Sequence, residues 1–496
     1  MSDGIIRVEG TDRVFHRNRV LAVLLIPLAM SLMAVSSINV ALPTIELGLG
    51  ATSSDLQWVL AGYALTFGVA LIPAGRVGDV LGRGSVFIAG VIVFTLASLA
   101  CGLAASPAQL NIARFVQGVG AGLFGPPTIG MIQQYFTGLA RAKAFALFGV
   151  AVSASVAVAP VLAGAIIQLI GPENGWRATF FLNVPIGLLG VGLALAWFPF
   201  SQERAARARR RLRRDTPPDA PLRRVDLDPV GGLLAAAGVL ALMWPFLTRE
   251  GGVSWLFVPA GSVVLALWVW WERRYKAAGR QPMVDLALFD HRSFTFGTAV
   301  SAAMFLGFTS VFAVLAIHLQ SGLGASALAT GLVGLPNAVV SAWASWWAGR
   351  HALTRGRRLV VLGLLAMIAA MLLSALVVLL VATRGWSFWW LALTLSLAGW
   401  GVGVIGSSNQ TLTMEDIPGH AGGTAGGVKQ TAERIGTAVG TAVVTAVFFA
   451  VAATHGSDRG FVLAYLVIAT FLTVALLLAL IDQRRARMGG SPIPAT

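Results

Sequence analysis

Gly75-Arg76-Val77-Gly78-Asp79-Val80-Leu81-Gly82-Arg83 is a short, charged, glycine-rich stretch between two apolar runs of membrane-spanning length. The same frame returns as Gly349-Arg350-His351-Ala352-Leu353-Thr354-Arg355-Gly356-Arg357, again between long apolar segments. In both copies a Gly-Arg pair is followed seven residues later by another. Glycine lets the chain turn sharply and lets two helices approach backbone to backbone. Arginines hold such a loop on the cytoplasmic face. Asp79 precedes the next apolar run, where a carboxylate can accept from the free amides of a helix N-terminus. One copy alone reads as a tight solvated turn; two copies in matching places point to a duplicated membrane bundle, the plan of many transporters.

Composition agrees. The 496 residues are 56% hydrophobic and 11% charged, far too apolar for a soluble surface. The single cysteine, Cys101, excludes an internal disulfide and a cysteine-based metal site. No GxxxxGK[ST] stretch is present, which excludes an ATP-driven pump carrying its own nucleotide domain on this chain. The first apolar run carries no convincing cleavage site and reads as a retained span.

With about 20 apolar residues per crossing, fourteen spans are expected. The plan is a cytoplasmic N-terminus at 1–19, a six-helix bundle at 20–199 and an Arg/Pro-rich cytoplasmic linker at 200–227. Two extra spans follow at 228–271, then a cytoplasmic loop at 272–293, a second six-helix bundle at 294–481 and a cytoplasmic tail at 482–496. The spans least well delimited are 228–248 and 254–271, joined by a few polar residues including Arg249 and Glu250. Of 36 basic residues, this map puts 29 inside and four outside, as the positive-inside rule requires. Both termini are then expected to be cytoplasmic, and the excess of arginine over lysine, 33 against 3, with abundant alanine and glycine, points to the plasma membrane of a bacterium with a GC-rich genome. The net charge of +15 therefore reports topology rather than nucleic-acid binding. The linker arginines, nine between Arg204 and Arg224, have no interleaved aromatics and read as a solvated segment touching anionic lipid heads.

The two loops, the span count and five stretches of the first half resemble the major facilitator superfamily, and within it the fourteen-helix drug/proton antiporter family. Asn39-Val40-Ala41-Leu42-Pro43 is similar to the end of that family's first helix. Gly75 to Arg83 is similar to its shared loop, and Arg114-Phe115-Val116-Gln117-Gly118-Val119-Gly120-Ala121-Gly122 to its helix-four motif. Ala159-Pro160-Val161-Leu162-Ala163-Gly164 resembles the helix-five antiporter motif, and the run from Trp176 to Gly187 the start of helix six. The second half matches more loosely, around Leu319-Gln320 and Gly436. Ala34 stands where the family has an aspartate, the acid to which the resemblance ties cation recognition or proton coupling. Alanines at 159 and 163 replace glycines of the helix-five motif, and Leu353 stands where the first loop has Asp79. The resemblance implies an all-α fold of two pseudo-symmetric six-helix bundles plus two extra helices. It also implies proton-coupled export of amphipathic small molecules by a monomer, without cofactor, metal or covalent chemistry.

Three residue sets follow. Asp79 and Arg83, with Gly75 and Gly82, resemble the inner-gate pair, expected to hold in one access state and break in the other. Arg114 is a lone cation in an apolar helix, with Gln117 one turn on. The resemblance gives it a role in proton transfer or gating; a structural cation holding backbone carbonyls of a neighbouring helix is the alternative. Glu433 is the one carboxylate well inside a span and the best proton carrier in the absence of an acid at position 34. Lys429 and Arg434 beside it leave open a compensated charge cluster in a helix that starts later than residue 424. The helix-five packing motif comprises Ala159, Pro160 and Gly164. Few amides lie at depth: Asn39, Gln57, Gln117, Asn337 and Asn409 are the substrate-cavity candidates, among many aromatics such as Trp58, Trp343 and Trp347. Such a lining suits apolar or amphipathic ligands better than sugars. A uniporter or importer, an exporter of an endogenous lipid or antibiotic, and a non-transporting membrane sensor remain alternatives.

Overall fold

A computed structural model describes residues 4–6, 14–171, 173–200, 203, 226–248 and 252–488. The arginine run at 204–224 and the pair at 249–250 lie outside the described residues. A two-residue antiparallel ladder, β1 (Ile5–Ile6) with β2 (Phe15–His16), precedes the helices. The first helices are α1 (Arg17–Leu49), α2 (Ser53–Leu81), α3 (Arg83–Leu103), α4 (Pro107–Tyr135) and α5 (Gly138–Ile170). After them come α6 (Gly175–Phe181), α7 (Asn183–Trp197), α8 (Pro229–Thr248) and α9 (Phe257–Ala277). The remainder is α10 (Arg292–Phe308), α11 (Val311–Ile317) with a π turn at His318–Gly322, α12 (Ala327–Arg384), α13 (Trp390–Thr413), α14 (Gly422–His455) and α15 (Ser457–Met488).

Local sequence sets the helix starts. Thr52 and Asp55 form a reciprocal capping box at α2, with the Asp55 amide donating to Thr52 Oγ1 at 3.2 Å and the Thr52 amide to Asp55 Oδ2 at 2.9 Å. Ser106 caps α4 ahead of Pro107, whose missing N–H is harmless in a first turn. Gly82, at φ +117°, is the entire connection between α2 and α3, a conformation that side chains rarely adopt.

Twelve described helices are long and apolar enough to cross a membrane, so the chain is a multi-pass membrane protein. That count is lower than the fourteen expected, and two helices account for the difference between expectation and structure. Helix α4 is long enough, at 29 residues, but its arginine, glutamines and glycines dilute its apolarity. Helix α12 runs 58 residues, about 87 Å at 1.5 Å per residue and far beyond one ~30 Å crossing. Its partners on α13 show that it doubles back. Asn337 donates to the Leu395 carbonyl at 2.8 Å and Ser345 to that of Gly403 at 3.0 Å, so both numbers rise together. Further on, Gly363 packs on Gly401 and Ile405, and Ser374 bonds Thr394 at 2.6 Å, so one number rises as the other falls. The chain therefore reverses direction between residues 345 and 363. The expected hairpin loop at 349–357 is not a break in helical bonding: neither Gly349 nor Gly356 takes a positive φ, unlike Gly82.

The chain forms two compact units. The first comprises Met1–Thr137, Val158–Leu288 and Pro418–Thr431. Its apolar cluster gathers Ile38, Ile45, Cys101, Leu110, Trp176 and Phe180. The second comprises Gly138–Ala157, Phe289–Ile417 and Ala432–Thr496, with a core around Met367, Phe448, Phe461, Tyr465 and Leu472. In lipid, apolar burial gives helices little reason to associate, so packing rests on small residues. A Cβ on Gly118 would strike Thr66 and the Tyr63 carbonyl of α2, and one on Gly122 would strike Ala70. In the second unit a Cβ on Gly440 would strike the Leu306 carbonyl of α10.

Candidate functional site

The first unit gathers the quoted loop against the start of α14. Arg83 and Asp79 are one helical turn apart, and Gly82 swings the chain so that the guanidinium meets the carboxylate. Arg83 Nη2 lies 2.6 Å from Asp79 Oδ1 and Nε donates to the same oxygen at 2.7 Å. The side chains are 1% and 4% exposed. Arg83 also donates to the Gly130 carbonyl at 2.7 Å, the Gly419 carbonyl at 2.6 Å and Gln134 Oε1 at 3.0 Å. Asp79 was expected to serve the amides of the helix that follows it in sequence. It serves those of α14 instead, taking the Gly423 N–H at 3.1 Å, the Thr424 N–H at 2.7 Å and the Thr424 hydroxyl at 2.8 Å. A carboxylate there balances the positive end of the α14 dipole and its unpaired donors. Gly75 makes the approach possible: a Cβ on it would lie 2.9 Å from the Gly423 carbonyl carbon. The α3 start is served by Glu203, which accepts the Ser85 amide at 2.9 Å; its place within the polar linker gave no sequence signal for this.

The second loop copy is held differently. Leu353 offers no acid, and Arg357 turns to Asp482 near the end of α15, at 3.0 Å. Arg292 pairs with the same carboxylate at 3.1 Å. Arg350 lies over the Trp346 ring at 3.6 Å. Asp482 was missed in the sequence because it stands 125 residues from Arg357 with no motif around it.

Arg114 is 1% exposed. It donates to the Val59 carbonyl of α2 at 2.9 Å and to Gln117 Oε1 at 2.6 Å, and it lies 4.4 Å from the Tyr63 ring centre. Gln117 passes the chain on to Ser98 of α3 at 2.7 Å. Among the described residues no carboxylate lies within ion-pair distance of Arg114. Glu433 is half-buried in α14, which begins at Gly422, two residues before the expected start rather than after it. The carboxyl is thus about 17 Å along the helix at 1.5 Å per residue. Lys429, one turn before it, is 4% exposed.

The five amides do not converge. Asn39 is exposed on α1. Gln57 donates to the Leu247 and Thr248 carbonyls and ties α2 to α8. Gln117 and Asn337 are bound as described, and Asn409 donates to the Gly297 carbonyl at 2.8 Å and Ser301 at 2.9 Å. Four of the five thus stitch neighbouring helices together. In the helix-five motif Ala159 and Ala163 are buried while Pro160 and Gly164 are half-buried, and a Cβ on Gly164 would meet open space. Ala159 and Ala163 border a small space with Met33, Ser37 and Asn183. Ala34, in the position of the absent acid, is 4% exposed. An apolar groove of about 630 Å³ runs between α3 and α4, and Leu96, Leu103 and Ile112 on it are exposed side chains of lipid-facing character.

The family model of the Major Facilitator Superfamily matches residues 24–441. The chain is 31% identical to the "Probable actinorhodin transporter" of Streptomyces coelicolor over 399 residues, 80% of this chain and 66% of that protein. It is 33% identical to the puromycin resistance protein pur8 of Streptomyces alboniger over 68% of this chain and 63% of that one. With the multidrug resistance protein Stp of Mycobacterium tuberculosis it shares 30% identity over 78% of this chain and 67% of the relative. The chain thus spans about two thirds or less of the length of these relatives. Among solved structures, the proton:xylose symporter XylE is similar at a TM-score of 0.65 with 16% identity, covering 93% of this chain and 94% of that one. The human organic anion transporter MFSD10 is similar at a TM-score of 0.63 with 13% identity, over 93% and 99%. Fold, quoted loop and family match agree, and the chain belongs to the major facilitator superfamily.

Proposed function

We propose that the protein is a secondary transporter that exports amphipathic drugs or metabolites in exchange for protons, by alternating access. The observation that carries this is the Asp79–Arg83 clasp on the first turn of α14. It is a buried ion pair whose outer bonds all go to another helix start and to carbonyls, so it can be made and broken as a unit. The names of the relatives, an actinorhodin transporter, a puromycin resistance protein and a multidrug resistance protein, favour efflux. In this reading α4 and the two limbs of α12 are crossings, which makes fourteen, with α8 and α9 as the extra pair between six-helix bundles at 20–199 and 294–481. The termini are cytoplasmic, the membrane is the bacterial plasma membrane, and the protein works as a monomer. Glu433 carries the proton and Arg114 couples it to the helices; Asn39 remains the amide available to a substrate.

The test is substrate movement in proteoliposomes with and without an imposed pH gradient. Accumulation that follows the gradient supports the reading. Movement that ignores the gradient makes the chain a uniporter, which the buried Ala34 favours. No movement of any of a panel of amphipathic cations, antibiotics and lipids makes it a sensor.

A further inference from the structure

The two helices α8 and α9 meet at a seam that the gate does not use. Asp228 sits just before α8, fully buried and in the left-handed region at φ +43°. Its carboxylate is well supplied with donors: the Gly231 amide at 2.9 Å, the Trp271 indole at 3.0 Å and the Met283 amide at 3.2 Å. Glu272, beyond the expected span 254–271 near the end of α9, is 1% exposed. The Trp268 indole and the Met283 and Val284 amides face its carboxyl, but none reaches either oxygen with full hydrogen-bond geometry. A Cβ built on Gly231 would touch Asp228 Oδ2 and would lie 2.9 Å from Glu272 Oε1. The two carboxyl groups are therefore about 5 Å apart or closer, a spacing at which two desolvated carboxylates do not both stay ionised.

We propose that Asp228 and Glu272 form a proton-binding carboxyl pair in which Glu272 holds the proton and Asp228 stays ionised. Three donors and the α8 N-terminus favour charge on Asp228. The donors that face Glu272 are less well aligned, and one of them, the Met283 amide, is already given to Asp228 at 3.2 Å. The surrounding charges are accounted for. From α2, Arg76 donates to the Asp226 carbonyl at 3.0 Å and to Gln281 Oε1 at 3.2 Å, and Asp79 lies one turn further on. Asp226 takes the Tyr275 hydroxyl at 2.7 Å, and Lys276 is bound by Asp285 at 2.6 Å. Arg280 lies over the Tyr275 ring at 5.4 Å. Arg76 is the cation in electrostatic contact with both members of the pair, and its Nε is buried without an acceptor. Loss of the proton would leave Arg76 to answer the new charge, pulling on the end of α2 three residues before Asp79. The seam is thus a site that reads cytoplasmic proton concentration at the foot of the added helices. It stands apart from the transport reading, because its occupancy is defined without substrate.

The experiment is infrared difference spectroscopy of the purified full chain in nanodiscs, titrated from about pH 5 to about pH 9, around the ordinary carboxyl range. A protonated-carboxyl carbonyl band, shifted in heavy water, is expected to vanish as pH rises and to be absent throughout in Glu272→Gln. Asp228→Asn, which removes the like charge, should move the loss of the band to lower pH. Thermal unfolding gives a second readout: the wild type loses stability as pH rises over this range, and Glu272→Gln, which mimics the protonated form, does not. Identical spectra for wild type and Glu272→Gln would overturn the proposal. A stability that responds to sodium at fixed pH and loses that response in Glu272→Gln would also overturn it, in favour of a bound cation.

Discussion

At the residue scale the clasp is the sharpest target. Asp79→Asn keeps the shape but removes the charge that answers both Arg83 and the α14 amides. Leaving a buried guanidinium without its partner is worth about 3–5 kcal/mol in comparable ion pairs. That loss falls on the state that contains the clasp. Turnover in proteoliposomes should drop about tenfold or more, while the half-saturating substrate concentration changes less than about threefold. Equal rates for wild type and Asp79→Asn would remove the clasp from the mechanism. Glu433→Gln has a different signature. Substrate exchange across the membrane should persist, while accumulation driven by a pH gradient is lost. Full gradient-driven accumulation in Glu433→Gln would show that the proton travels elsewhere. The clasp pair itself was legible in the sequence, because spacing and residue type travel together in a short loop. Its partner was not, because 344 residues separate Asp79 from Gly423 and no local pattern marks a first turn that receives a distant carboxylate.

At the scale of elements, small residues decide which helices touch. Gly440→Ala places a methyl against the Leu306 backbone, where nothing flexible can yield, and should lower the melting temperature by an amount equivalent to about 1–3 kcal/mol. Gly164→Ala meets open space and should be neutral, or stabilise by up to about 1 kcal/mol through helix propensity. Two glycines of similar appearance in the sequence thus give opposite results, since only the neighbouring helix distinguishes them. The same limit applies to the deep amides. Residue type and depth marked them as polar groups in lipid, but not whether their donors face a ligand or a carbonyl of the next helix. The loop before α8 adds a pH test. Burial opposes ionisation of Asp226, but the Tyr275 hydroxyl, the amides of Gln281 and Asp228 and the nearby Arg280 outweigh it, so its carboxyl is held below the ordinary value. A depressed carboxyl stabilises the fold above its unfolded value, about 4, and loses that contribution as pH falls through its folded value. Thermal unfolding below about pH 4 should therefore fall less steeply in Asp226→Asn than in the wild type.

At the scale of the whole molecule, hydropathy is the most informative feature of the sequence. Hydropathy and composition gave the helical, multi-pass membrane class. They could not see that α12 carries helical bonding through its own reversal, because hydropathy reads composition and not direction. Single cysteines at positions 80 and 353 should react with an impermeant thiol reagent from the same side, the cytoplasmic one. Labelling from opposite sides would dismiss the duplicated plan. Asp482 has a practical corollary. One carboxylate on α15 secures arginines on both α10 and the bend of α12, so that helix acts as a fastening between them. Shortening the gene upstream of that codon for crystallisation would release two basic side chains at once, whereas a purification handle appended after residue 488 leaves them gripped.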